Sequence, residues 1–200
     1  MRRPFRNLDR NRREQNFKSI CMNSDLHLIT ATKNGDPEAF GQLFNRYHGP
    51  LMSYIGNRSD AKDLIQETFR KAFSKIHTFN ESYSFKCWLY KIARNCMIDA
   101  TRKDSRHQSL IIDFIPLLQG KVSAPSAEMV KEEYRDLVRK AIDDLSDMQR
   151  EVLVMSYYHN LTYVQIAEIL DCSLSAVKTH MSRAVLKLSQ TLPRPEKGDR

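Results

Sequence analysis

No stretch of this sequence is apolar enough, for long enough, to cross a bilayer. The longest apolar run, LIIDFIPLL at 110–118, is interrupted by Asp113 and Pro116 and falls far short of the ~20 residues a spanning helix needs. The arginine-rich N-terminus lacks the apolar segment of a secretory signal. These absences predict a cytoplasmic chain with no membrane insertion. Cysteine is scarce and unpatterned: Cys21, Cys87, Cys96 and Cys172 form no CxxC pair and have no histidines at metal-ligand spacing. That argues against a zinc site and for free thiols in a reducing compartment. No metal and no cofactor is expected. Internal repeats are absent too.

What the chain has in excess is positive charge. Thirty-two lysines and arginines against 24 acids give a formal net charge of +8, which suggests a polyanionic partner. Five of those charges fall in residues 1–24, where Arg2, Arg3, Arg6, Arg10, Arg12, Arg13 and Lys18 stand against Asp9 and Glu14. Residues 1–23 therefore read as a basic, disordered tail.

Helical periodicity governs residues 24–107. Asp36 and Pro37 mark an N-cap and a first turn, and Phe40, Leu43, Phe44 and Tyr47 form the stripe that follows, with Gly49-Pro50 predicting a kink or break. In DAKDLIQETFRKAF, residues 60–73, Asp60 stands where an N-cap belongs, and Ala61, Leu64, Ile65, Phe69, Ala72, Phe73 and then Ile76 face inward. The helix that starts at Phe85 has the most regular stripe: Phe85, Trp88, Leu89, Ile92, Ala93, Cys96, Met97 and Ala100. Trp88 lies on that stripe and is expected in the core. Residues 108–127, with Pro116, Gly120 and Pro125, read as a linker. Periodicity resumes near Met129 and runs to Leu192, before a polar tail at 193–200. The predicted fold class is all-α, with small helical domains at 24–107 and 128–192 joined by a flexible linker.

The second domain carries a helix-turn-helix pattern at about 163–182. Thr162 can cap the first helix, with Val164, Ile166, Ala167 and Leu170 facing inward; Asp171 falls in the turn, where aspartate tolerates positive φ. Ser173 or Ser175 can cap the second helix, and Val177 packs back on the first. The second helix offers Ser175, Lys178, Thr179, His180, Ser182 and Arg183 to solvent. Residues 173–188 hold Lys178, Arg183 and Lys187 and no acid, which suits insertion into a DNA major groove.

The helix from Phe85 leaves Lys91, Arg94, Asn95, Arg102 and Arg106 on its polar face, and the loop before it offers Asn80, Ser82 and Tyr83. Cations beside amide, hydroxyl and aromatic groups suit an opened strand, whose phosphates follow the charges and whose bases stack. Between these two candidate DNA surfaces, Asp60, Asp63 and Glu67 line one face of the 60–76 helix. An acidic face repels DNA, so a basic protein surface is its natural partner.

Three segments together resemble the extracytoplasmic-function (ECF) sigma factors of the bacterial sigma-70 family: DAKDLIQETFRKAF, FNESYSFKCWLYKIARNCMIDATRK, and LSDMQREVLVMSYY with the helix-turn-helix after it. The resemblance covers residues 35–192 in order. It implies a non-catalytic initiation subunit that binds the RNA polymerase core. Asp60, Asp63, Leu64, Gln66, Glu67, Phe69 and Arg70 would meet the β′ clamp helices, and the β subunit would be a second contact. It further implies that Asn80, Ser82, Tyr83, Lys91, Arg94, Asn95 and Arg102 open and read the −10 promoter element. The helix-turn-helix would read the −35 element, and an anti-sigma factor is an expected partner. The chain departs from the family at Lys62, where an acid is usual, and in FNESYSF, where Glu81 and Tyr83 replace the glycine and serine of F-x-G-x-S-x-F. The segment before Met22 has no family counterpart, and Met22 is an alternative start.

Two other classes bear comparison. A LuxR-type regulator shares the AVKTHMSRAVLKL pattern but predicts a receiver or ligand-binding domain upstream, with strands and helices alternating. A nuclease or recombinase requires converging acids or a nucleophile with its base, and the acids at 60–67 share one helix face with no histidine near.

Overall fold

The computed structural model describes residues 25–56, 58–103, 137–138 and 140–192. The basic tail, the linker and the C-terminal tail fall outside the described residues. Among the described residues every regular element is helical.

Helix α1 (residues 25–33) opens on Asp25, a buried carboxylate that accepts hydrogen bonds from the Arg46 guanidinium and the Tyr47 hydroxyl. It closes in a turn where Gly35 takes φ 94°. The Gly35 and Asp36 N–H groups reach the carbonyls of Thr32 and Ala31, both at 3.0 Å, which satisfies the last carbonyls of the helix and demands left-handed backbone at the glycine. Asp36 then opens α2 (Pro37–Ile55), accepting from the N–H groups of Glu38 and Ala39, with Pro37 in the first turn as expected.

Of the expected kink or break, the break does not occur: α2 runs on through Pro50. Gly49 and Pro50 are exposed, while Leu51, Tyr54 and Ile55 are buried. Burial of the last turns outweighs the ~3 kcal/mol a proline costs a helix interior. Helix α3 (Ala61–Lys75) buries Leu64, Ile65, Thr68, Phe69 and Ala72 and ends in a tight turn, Ile76–Thr78. Asp60 stands before it without capping it; its carboxylate instead takes both arms of Arg58, at 2.8 and 3.0 Å. The guanidinium offers two charge-assisted bonds where the helix offered single amide donors. Helix α4 (Phe85–Lys103) follows, and Trp88 is half-buried against Phe79 and Phe85, with ring centroids at 5.1 and 5.6 Å.

In the C-terminal half, helix α5, described at residues 137–138 and 140–143, leads to α6 (Asp147–Tyr157). Arg150, buried on α6, donates to the carbonyls of Ile142, Asp143 and Leu145 and so caps α5. Helix α7 (Tyr163–Leu170) starts on a capping box, with the Thr162 N–H reaching the Gln165 side chain at 2.9 Å and the Gln165 N–H returning to the Thr162 hydroxyl at 3.4 Å. Asp171 closes it at φ 51°, ψ 46°, the left-handed conformation expected of the turn. Ser173, rather than Ser175, caps α8 (Leu174–Thr191). Val177 is fully buried, as expected; Val164 is not. The buried stripe of α7 is Ile166, Ile169 and Leu170, and Val164 lies two residues off it, about 200° round the helix.

The two halves share one core, in which α4 packs on α7. Asp171→Val is expected to lower stability by about 1–2 kcal/mol, because a β-branched residue does not tolerate this backbone conformation, while Asp171→Asn and Asp171→Gly keep it. Thermal denaturation of the three variants checks this.

Candidate nucleic-acid and partner-docking surfaces

The outer face of α3 shows how the acids are held. Asp63, Gln66 and Arg70 are exposed. The Glu67 carboxylate takes a two-pronged bond from Arg70, both arms at 2.7 Å, with Lys71 at 3.7 Å. That bond, and the charge behind it, hold Glu67 below the usual carboxylate range. Asp60 is lowered in the same way by Arg58. The acidic face is therefore partly compensated by the chain's own arginines. Two residues expected on it are corrected: Leu64 is 5% exposed and Phe69 4% exposed, and Phe69 packs on Phe44 with centroids 4.5 Å apart. They lie on the inward stripe and hold the helix down. Phe73, placed inward by the sequence, is exposed instead, one turn beyond Arg70 and stacked edge-on against Phe40 at 4.9 Å. Its spacing from Arg70 is the only signal that could have found it.

Along α4 the expected cations divide. Asn95 and Arg102 face solvent. Lys91 pairs with Asp171 in the turn of the helix-turn-helix. Arg94 reaches into the seam between the halves, where its Nε meets Glu151 of α6 at 3.0 Å. Glu151 also accepts from the hydroxyl of Tyr54, on α2, at 2.9 Å. Burial pushes the Glu151 carboxyl up against the pull of Arg94, and burial, with the Glu151 charge, pushes Tyr54 well above its ordinary range. Beside them the Tyr90 hydroxyl contacts His159 Nδ1 at 2.8 Å, and Lys86 donates to the His159 carbonyl. The His159 ring stands edge-on to Tyr54 and Tyr90, and its Nε2 is buried without a partner among the described residues. Sequence reading missed Tyr54, Tyr90, Glu151 and His159, since an acid and a histidine flanked by REVLVM and SYYHN carry no mark of a shared seam.

In the loop before α4, Asn80, Ser82 and Tyr83 are exposed. The Asn80 side chain, however, accepts the Ser82 N–H at 2.9 Å and is used in shaping the turn. On α8, Ser175, Lys178, Thr179, Ser182 and Arg183 form a continuous exposed face, with Thr179 bonding back to the Ser175 carbonyl at 2.9 Å. His180 is half-buried, its Nδ1 without a partner among the described residues, and it sits at the edge of that face. Among the described residues no group of histidines, cysteines and acids is placed to hold a metal, and no helix is long and apolar enough to cross a membrane.

Two family models match this arrangement: sigma-70 region 2 over residues 40–107, and sigma-70 region 4 over residues 135–188. Those two regions in that order define the sigma-70 class of RNA polymerase sigma factors. RNA polymerase sigma factor YlaC of Bacillus subtilis (strain 168) is 30% identical over 168 residues, covering 82% of this chain and 97% of YlaC. The ECF sigma factor SigM of the same organism is 30% identical over 152 residues, covering 76% and 91%. The solved structure of CnrH in complex with the cytosolic domain of CnrY superposes with a TM-score of 0.60 at 25% identity, over 84% of this chain and 96% of CnrH. The chain belongs to the ECF subfamily of the sigma-70 family, and it is a sigma factor. The match to region 2 over 40–107 leaves no place for the LuxR-type alternative.

The seam is sensitive to acid. Burial, then the charge of Lys86, lowers His159 from 6.5 to about 4. A separated, solvated His159 therefore takes a proton at a pH where the packed one does not. The His159 contribution to the packing is fully present above about 6.5 and is lost as pH falls toward 4, by on the order of 3 kcal/mol, while the raised Glu151 carboxyl acts in the opposite sense. Small-angle scattering across that range should show the halves part on acidification, and His159→Phe should remove most of the dependence.

Proposed function

We propose that this sigma factor docks on core polymerase through the outer face of α3, with Asp60, Asp63, Gln66, Glu67 and Arg70, and with Phe73 as an apolar contact at its end. The partner surface is the basic coiled coil of the β′ clamp helices. Ser82, Tyr83, Lys91, Arg94, Asn95 and Arg102 hold the opened −10 strand, with Asn80 shaping the loop. Ser175, Lys178, Thr179, Ser182 and Arg183 enter the major groove at the −35 element, with His180 at the margin and the β subunit supporting this half. The role is non-catalytic and cytoplasmic. The observation that carries the reading is the separation of faces by charge: acids on the outer face of α3, and cations with no acid on the exposed face of α8, with α4 packed between α3 and the C-terminal half. A partner protein of the anti-sigma class is proposed because CnrH was solved with the cytosolic domain of CnrY and the sigma factor RpoE of Bartonella quintana with the anti-sigma factor NepR.

The reading also demands movement. Sites centred about 25 base pairs apart are separated by on the order of 80 Å of duplex. A compact body the size of the described residues has a radius of gyration of about 14 Å and spans roughly 36 Å. The halves must therefore part before both elements are bound, and parting releases Arg94 from Glu151 and Lys91 from Asp171 for the strand.

Transcription in vitro with core polymerase tests the assignment. Core plus this chain is expected to initiate from its promoter. The double variant Asp63→Lys, Glu67→Lys should lose core binding while keeping its helical spectrum, since like charges across an interface cost several kcal/mol. Undiminished co-purification of core with the double variant refutes the docking face.

A further inference from the structure

The loop that precedes α4 contains an acid at a place where an acid is awkward. Glu81 lies between Asn80 and Ser82, and an uncompensated carboxylate there repels the phosphates of any strand the loop receives. The loop does not need glycine at this position: among the described residues, positive φ outside glycine occurs only at Asn160 and Asp171. What it needs is a counter-charge, and the structure supplies one from far away in sequence. Lys33, on the last turn of α1, places its Nζ 3.0 Å from Glu81 Oε1 and 3.0 Å from the Phe79 carbonyl. The same ammonium lies 6.0 Å from the centroid of the Phe79 ring.

Both ends of this contact are fixed by their neighbours. Lys33 occupies the negative end of the α1 dipole, which favours a cation, and the Gly35 turn sets the direction in which α1 stops. At the other end, Phe79 is buried against Phe85 and Trp88. The Asn80 side chain and carbonyl take the N–H groups of Ser82 and Tyr83, at 2.9 and 3.1 Å. Tyr83 is left 57% exposed at the tip. The Glu81 side chain is itself 47% exposed, and a pair this open adds at most about 1 kcal/mol to stability. Its effect lies in the charge and placement of the loop, and much less in the fold.

We propose that Lys33 is a positioning residue for −10 recognition, although it lies outside the segment that reads the strand. It neutralises Glu81 and ties the loop to α1, so that Ser82 and Tyr83 meet an opened strand over a surface free of net negative charge. This inference rests on the sigma-factor reading above.

The test uses the full chain assembled with core polymerase, and permanganate reactivity of −10 thymines on a duplex promoter. Lys33→Met should lower promoter opening roughly tenfold, about the loss of one stacked base, with core binding and −35 duplex affinity unchanged. Lys33→Arg, which keeps the charge and the donors, should behave as the parent chain. Lys33→Met combined with Glu81→Gln should recover most of the loss, because the uncompensated acid is gone; a merely structural lysine gives no such recovery. Normal opening by Lys33→Met, or a double variant no better than Lys33→Met alone, overturns the proposal. Failure of the parent chain itself to initiate with core overturns the sigma-factor reading beneath it.

Discussion

The arrangement of this molecule turns on one buried charge. Glu151 is 4% exposed and belongs to the C-terminal half, yet its partners Arg94 and Tyr54 belong to the N-terminal half. A carboxylate in such a place is tolerated only while both partners stay in register, since desolvation costs about as much as the pairing returns. The contact therefore adds little to stability and much to specificity. It fixes which face of α6 meets which faces of α2 and α4, and the ring contacts of Tyr54, Tyr90 and His159 follow from that register.

Charge compensation within the chain recurs on α3, on α4 and in the loop before α4. Arg58 holds Asp60, Arg70 holds Glu67, Lys33 holds Glu81 and Asp171 holds Lys91. Most of these pairs are at least partly exposed, so each is inexpensive to exchange for an external partner. Net charge on its own is a poor guide to such surfaces: what matters is which ions are held weakly enough to change partners.

How much of this was legible in the sequence depended on the range of the interaction. Local signals read well. Asp36 with Pro37, the Thr162 cap, and the left-handed Asp171 are set by residues within four positions of each other. Signals that depend on a distant neighbour did not read. Val164 looked apolar and therefore inward, but only the packing of α7 shows that it falls off the buried stripe. Leu64 and Phe69 were assigned to a docking face that their own helical phase denies them, and Phe73 was assigned to the core it leaves. Pro50 predicted a break that burial of Tyr54 and Ile55 overrides. Glu151 and His159 gave no warning, because their partners lie 57 to 97 positions away.

The aromatic seam has a thermodynamic consequence for the search for promoters. Tyr54 and Tyr90, completely buried and ring to ring at 5.1 Å, are wetted whenever the halves separate. On the proposed function, the extended form that spans a promoter would be a minority species of the isolated subunit, and its apparent affinity for DNA would be reduced by that minority fraction. If the closed form leads by ~3 kcal/mol, the reduction is about a hundredfold. Any surface that binds the extended form selectively, as core polymerase would, raises DNA affinity by the same factor without touching a base.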